Sequence, residues 1–220
     1  YQDRIYLNEN GIFKKDQSKI AKFRESGGSV QAADFDQDGD LDLLVGGRHL
    51  PWSYPSPTVS RLLKNEDGML KDITKSNAPD LIQLGMVTDA VWTDFDGDND
   101  LDILIMGVDQ DEEVVTNLYK NNGTGNYTIV NNAGFNPLNF GDIAIGDTDG
   151  DGDTDVLIAG MVDSDVKSEF YTNTGDGTFT LIADVPLIAV SHTHLTLPTI
   201  QSVSSSVDAA PLNIQRCRLI

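Results

Sequence analysis

Apolar and polar positions follow one repeated order along the chain. A short apolar run, Val30 to Ala33, leads into an acidic stretch, and a second run, Leu43 to Val45, leaves it and closes on Gly46-Gly47. The order returns at Ala90 to Thr93 with Ile103 to Met106 and Gly107, and at Ile143 to Gly146 with Val156 to Ala159 and Gly160. β-Branched and leucine-rich runs of this length have strand character. Between these units the pattern predicts tight hairpins. The first is Arg4-Ile5-Tyr6-Leu7, the turn Asn8 to Gly11, then Ile12-Phe13-Lys14. Others span Arg61 to Leu70 around Asp67-Gly68, Leu118 to Val130 around Asn121-Asn122-Gly123, and Phe170 to Phe179 around Asn173 to Gly177. One unit therefore reads strand, acidic loop, strand, connection, strand, tight turn, strand.

The first Asp of each acidic stretch falls at 34, 94 and 147, intervals of 60 and 53 residues. Four short antiparallel strands repeating at that period describe a propeller blade. A nonapeptide calcium β-helix would repeat much faster, and a WD40 propeller would carry Trp-Asp dipeptides, of which there are none. The expected fold is all-β, a partial β-propeller of four-stranded antiparallel blades.

The acidic stretches carry the chemistry. They read Asp34-Phe-Asp36-Gln-Asp38-Gly-Asp40-Leu-Asp42, Asp94-Phe-Asp96-Gly-Asp98-Asn-Asp100-Leu-Asp102 and Asp147-Thr-Asp149-Gly-Asp151-Gly-Asp153-Thr-Asp155. Carboxylates held about 4–5 Å apart repel by roughly 1–4 kcal/mol per pair, so such a loop needs a counter-ion. All-oxygen donors without His or Cys favour a hard cation, and a flexible cage suits Ca²⁺ better than Mg²⁺. By analogy with other Asp-rich loops, positions 1, 3, 5 and 9 offer side chains and position 7 its carbonyl. The side-chain set is then Asp34, Asp36, Asp38 and Asp42, with Asp94, Asp96, Asp98 and Asp102, and with Asp147, Asp149, Asp151 and Asp155. Asp40, Asp100 and Asp153 supply carbonyls. About three Ca²⁺ sites are expected. Position 6 needs a tight backbone, and Gly39, Asn99 and Gly152 all tolerate positive φ. An EF-hand opens the same way but needs a bidentate Glu at position 12, where this chain has Val45, Ile105 and Ile158.

Composition narrows the partners. The chain has 220 residues and a formal charge of −20, but the fifteen Asp of the three loops account for −15 of it and the remainder carries only −5, so the net acidity is mostly local. No basic patch invites nucleic acid or an anionic membrane, and no run of 18 apolar residues is long enough to span a bilayer. One cysteine, Cys217, rules out a disulfide framework. Loops this exposed would bind calcium at roughly 10⁻⁴ to 10⁻³ M, which is useful where calcium is millimolar, outside the cell. The chain opens at Tyr1-Gln2-Asp3-Arg4, which reads as mid-domain sequence, so a fragment of an exported protein is expected.

These loops, with Phe140-Gly141 ahead of the third and Ile158-Ala159-Gly160 after it, resemble FG-GAP/VCBS repeats, the blades of the integrin α-subunit propeller and its bacterial relatives. The first two repeats carry Gly27-Gly28 and Leu84-Gly85 in place of Phe-Gly. The resemblance covers about residues 1–190 and implies a seven-bladed, calcium-stabilised propeller that serves extracellular recognition or adhesion. On this reading 1–28 is the outer half of a preceding blade plus a connection, and 29–84, 85–139 and 140–183 are blades with the three calcium loops. Residues 184–190 start a further blade. Residues 191–220 break the pattern, with one acid, Asp208, against Arg216 and Arg218, and Pro198 to Gln201 where a fourth loop was due. The run Ser191 to Ile200 resembles translated adaptor read-through. His192 and His194 lack a Cys or acid at zinc-ligand spacing.

The functional expectation is a non-catalytic binding module at the cell surface or outside the cell, with an extracellular protein or polysaccharide as ligand. No Ser-His-Asp or Cys-His set is suggested, and the Asp residues that could form a glycosidase pair are committed to the loops. The alternative is the substrate-targeting propeller of a secreted carbohydrate-active enzyme. The aromatics Trp52 and Tyr54 of the connection Arg48 to Pro55 could line a ligand surface, but a packed, Pro-stiffened loop is the preferred reading. The sequons at Asn122 and Asn126 are equally well explained by turn chemistry.

Overall fold

A computed structural model describes residues 3–23, 25–50, 52 and 58–183. The stretches read as the start of a further blade and as the foreign tail lie outside the described residues, as do Pro51 and residues 53–57 of the Trp52 connection. Among the described residues, fourteen strands form one two-stranded and three four-stranded antiparallel sheets. The hairpin of β1 (Tyr6–Glu9) and β2 (Ile12–Lys15) stands first. Blade one is β3 (Ser26–Ala33), β4 (Asp42–His49), β5 (Arg61–Glu66) and β6 (Met69–Asp72). Blade two is β7 (Leu84–Thr93), β8 (Asp102–Asp109), β9 (Val114–Asn121) and β10 (Tyr127–Ile129), and blade three is β11 (Asn139–Gly146), β12 (Asp155–Val162), β13 (Asp165–Asn173) and β14 (Phe179–Ile182). In each blade the strands pair in chain order, as expected for propeller blades.

Packing explains the composition of the second strands. Successive side chains of β8 point to opposite faces, and both faces are covered. Ile103 and Ile105 enter the core between blades one and two with Leu44, Leu62, Leu81 and Tyr127. Leu104 and Met106 enter the core between blades two and three with Ile143, Ile158, Tyr171 and Phe179. A strand buried on both sides has no polar alternation, which is why the run after each acidic loop is continuously apolar. The last strands are largely exposed, and so is the whole β1–β2 hairpin.

The turns obey the residue chemistry. Asn10-Gly11 and Asp67-Gly68 join their strands with positive φ at both residues (54° and 88°, 52° and 80°), the two-residue geometry that matches strand twist. The sequons at Asn122 and Asn126 are part of the β9–β10 turn, where Asn122 Oδ1 accepts from Thr124 N–H and Asn126 N–H.

Two features were not legible. Each first strand starts earlier than its apolar run, at Ser26, Leu84 and Asn139, because it crosses a register shift at glycine-bearing positions that carry little strand propensity. In blade three this explains why Phe140-Gly141 stands opposite Ile158-Ala159-Gly160. A Cβ on Gly141 would lie 1.7 Å from the Ala159 carbonyl oxygen, so the two stretches are the two sides of one close backbone approach. The second feature is a short helix, α1 (Thr74–Asn77), followed by a 3-10 turn (Pro79–Gln83) between blades one and two. It brings Ala78 and Leu81 into the core, and Thr74 Oγ1 accepts from Leu62 N–H at 2.8 Å.

The blades are also tied at their first strands. Asp89 of β7 accepts from Ser29 of β3 (3.3 Å) and from Ile143 N–H of β11 (2.9 Å). Burial pushes its pKa up, opposed by its backbone donors.

Candidate metal centres

Each acidic loop joins the first and second strands of its blade, so all three leave the sheets at the same end. The loop curls around position 1. Asp34 accepts from Asp38 N–H (3.0 Å) and Gly39 N–H (2.9 Å), Asp94 from Gly97, Asp98 and Asn99, and Asp147 from Gly150 and Gly152. Such a curl requires left-handed backbone at position 6, and φ is 95°, 70° and 97° at Gly39, Asn99 and Gly152.

Position 9 holds the loop to the rest of the blade. Asp42, Asp102 and Asp155 are buried, and one oxygen of each accepts from the position 2 N–H of its own loop, at 3.3, 3.3 and 2.9 Å. The other oxygen accepts from the N–H of Asn65, Asn121 or Asn173 on the third strand, at 2.7, 2.8 and 3.1 Å. Burial raises the Asp42 pKa to about 6 and that of Asp102 to about 7, against the opposing pull of these donors. The asparagines continue inward. Nδ2 of Asn121 donates to the Phe35 carbonyl, and Nδ2 of Asn173 to the Phe95 carbonyl at 2.7 Å, so the first and second loops are each stapled to the next blade.

Positions 1, 3 and 9 converge. Oxygens of Asp34, Asp36 and Asp42, of Asp94, Asp96 and Asp102, and of Asp147, Asp149 and Asp155 lie within 4.8 Å of one another. Three such groups can hold a metal ion. Position 5 stands outside these groups. Asp38, Asp98 and Asp151 each accept from the N–H two residues on, and that donor draws the Asp38 pKa below the ordinary value. The Asp98 pKa is also lowered, the Asp100 N–H and Lys120 outweighing the opposite effect of burial. At position 7 the carboxylates of Asp100 and Asp153 lie against the hairpin glycines Gly123 and Gly175, where a Cβ would come within 2.7 and 2.6 Å of them. Asp40, the third residue of this position, is exposed, and its N–H donates to Asp38.

The residues fit a hard divalent ion on a further ground. One oxygen each of Asp36 and Asp96 is buried with no hydrogen-bond donor, and a buried acceptor without a partner costs about 1–3 kcal/mol. Three carboxylates converge on the same point, where a cation would supply the missing partner.

Sequence reasoning missed the asparagines and two lysines. Lys64 and Lys120, one residue ahead of Asn65 and Asn121, form ion pairs with Asp36 and Asp96, which raise their pKa values. The signal was the recurring triplet Leu63-Lys64-Asn65, Tyr119-Lys120-Asn121 and Tyr171-Thr172-Asn173.

The fold and the loops define the class: antiparallel propeller-type blades with an Asp-rich loop between the first and second strands. The model of the FG-GAP-like repeat matches residues 1–45, 94–158 and 147–213, and the chain belongs to that family. The third match runs on into the segment read from sequence as foreign. Repeats of this family are generally non-catalytic. No match to a curated protein is found. Among the described residues, no helix is long and apolar enough to cross a membrane.

Proposed function

We propose that the chain is a calcium-stabilised, non-catalytic propeller module that works outside the cell in recognition or adhesion, with a protein or polysaccharide as its ligand. The observation that carries the reading is the threefold convergence of carboxylates at positions 1, 3 and 9 with orphaned oxygens on Asp36 and Asp96. An ion held by positions 1, 3 and 9 would fasten each loop to the third strand, to which the position 9 carboxylate is already hydrogen-bonded, and would be structural rather than reactive. Shallow all-oxygen sites suit millimolar calcium, which supports an extracellular setting.

The test is a thermal scan of the chain in about 2 mM calcium and in chelator. With a dissociation constant near 0.1 mM, each occupied site adds roughly 1.8 kcal/mol by mass action. A melting temperature indifferent to chelator removes the calcium assignment, and glycan and protein arrays then identify or exclude a ligand for the intact surface.

A further inference from the structure

The residue just ahead of the asparagine on the third strand differs among the blades, being Lys64, Lys120 and Thr172. Lys64 ion-pairs with Asp36 and stands 3.4 Å from Asp38, and Lys120 ion-pairs with Asp96 and stands 3.2 Å from Asp98. Both ammonium groups thus bridge positions 3 and 5 of their own loop. Thr172 carries no charge, and among the described residues no ion pair reaches the third loop. Its Asp147 and Asp149 are exposed, whereas Asp34, Asp36, Asp94 and Asp96 are half-buried.

We propose that Lys64 and Lys120 are resident counter-cations that keep the first two loops assembled without a divalent ion and weaken their hold on one, so that the third loop is the tightest and most metal-dependent site. The proposal rests on the divalent-cation reading above. Five carboxylates repel one another in all three loops, and one ammonium offsets part of that repulsion only in the first two. The same ammonium opposes an incoming ion. At about 6 Å in bulk-water dielectric, repulsion between an ammonium and a divalent cation weakens binding on the order of tenfold. The lysine also occupies one oxygen of Asp36 or Asp96, leaving the other, orphaned oxygen as the one free to take the ion. A solvated lysine that merely found the nearest acid would not explain why both stand one residue before the asparagine and bridge the same two loop positions.

Loop-resolved amide NMR on the full chain tests this in wild type, Lys120→Thr, Lys120→Arg and Thr172→Lys. In chelator, the loop amides at Gly150 and Gly152 are expected to exchange at least about tenfold faster than those at Gly97 and Asn99. Lys120→Thr should bring the second loop to the third loop's rate and tighten its calcium titration about tenfold, and Lys120→Arg should behave as wild type. Thr172→Lys should slow exchange in the third loop and weaken its calcium affinity by a similar factor. Equal exchange in the second and third loops of the chelated wild type, or no change on Lys120→Thr and Thr172→Lys, overturns the proposal. Absence of any calcium-dependent shift overturns the cation reading instead, while exchange in chelator still decides the role of the lysines.

Discussion

The second and third acidic loops share one spacing of five Asp, yet they are held in different ways. The second has Lys120 across its mouth, and Phe95 at position 2 is buried at 1% exposure against Phe179 of the next blade, their rings 5.2 Å apart and edge to face. The third has Thr172 and an exposed Thr148, whose hydroxyl turns back to donate to Asp155. One loop is tied by an ammonium, a buried ring and a neighbouring blade, the other by its own hydrogen bonds. A shared ligand motif therefore does not make equivalent sites, because what a metal contributes depends on what already restrains the carboxylates.

The largest expected contrast lies at position 2. Phe95→Ala should cost about 3–5 kcal/mol, the usual range for an aromatic removed from a core. Thr148→Ala should cost less, about 1.5 kcal/mol, the low end for one hydrogen bond to a carboxylate because this side chain is exposed. Urea denaturation in saturating calcium measures both, and similar losses would mean that the third loop is anchored as firmly as the second.

Next in size is the pair Asp102→Ala and Asp100→Ala. The first leaves the N–H groups of Asn121 and Phe95 without their acceptor and should cost about 2 kcal/mol, as well as one calcium site. The second should retain the site, since position 7 is expected to bind through its carbonyl. Calorimetric stoichiometry decides, and loss of a site in both variants means the ligand register is shifted.

The smallest effect concerns pH, and its sign separates the two states of the loops. Buried Asp42 and Asp102 titrate near 6 and near 7, above the ordinary value of about 3.9 for an unfolded chain. The folded state therefore binds more protons in this interval. The stabilisation this linkage supplies is complete below the unfolded pKa and is lost as pH rises through about 6 and then about 7. In chelator the melting temperature should rise as pH falls from about 8 to about 5. In calcium the same protonation displaces the ion, and the trend should reverse. Parallel trends with and without calcium would show that these two carboxylates do not hold the ion.

Much of this molecule was legible in its residues. The spacing of Asp34 to Asp42 and its two repeats, the strand runs, the Asn-Gly and Asp-Gly turns and positive φ at Gly39, Asn99 and Gly152 follow from local rules, because each depends on a few neighbouring residues. What only the tertiary structure decided is which groups meet across blades and strands. Asp42 lies 23 residues from the Asn65 that pins it, Lys64 lies 28 residues from Asp36, and Phe95 finds its carbonyl bound by Asn173, 78 residues on. The extra length of β3, β7 and β11 likewise comes from close backbone approach at glycines such as Gly141, where packing overrides poor strand propensity. The motif determines which atoms can bind a cation. The stacking of one blade on the next determines how strongly each loop would need one, because charge balance and burial are properties of the assembled surface and not of the nine residues that bear the carboxylates.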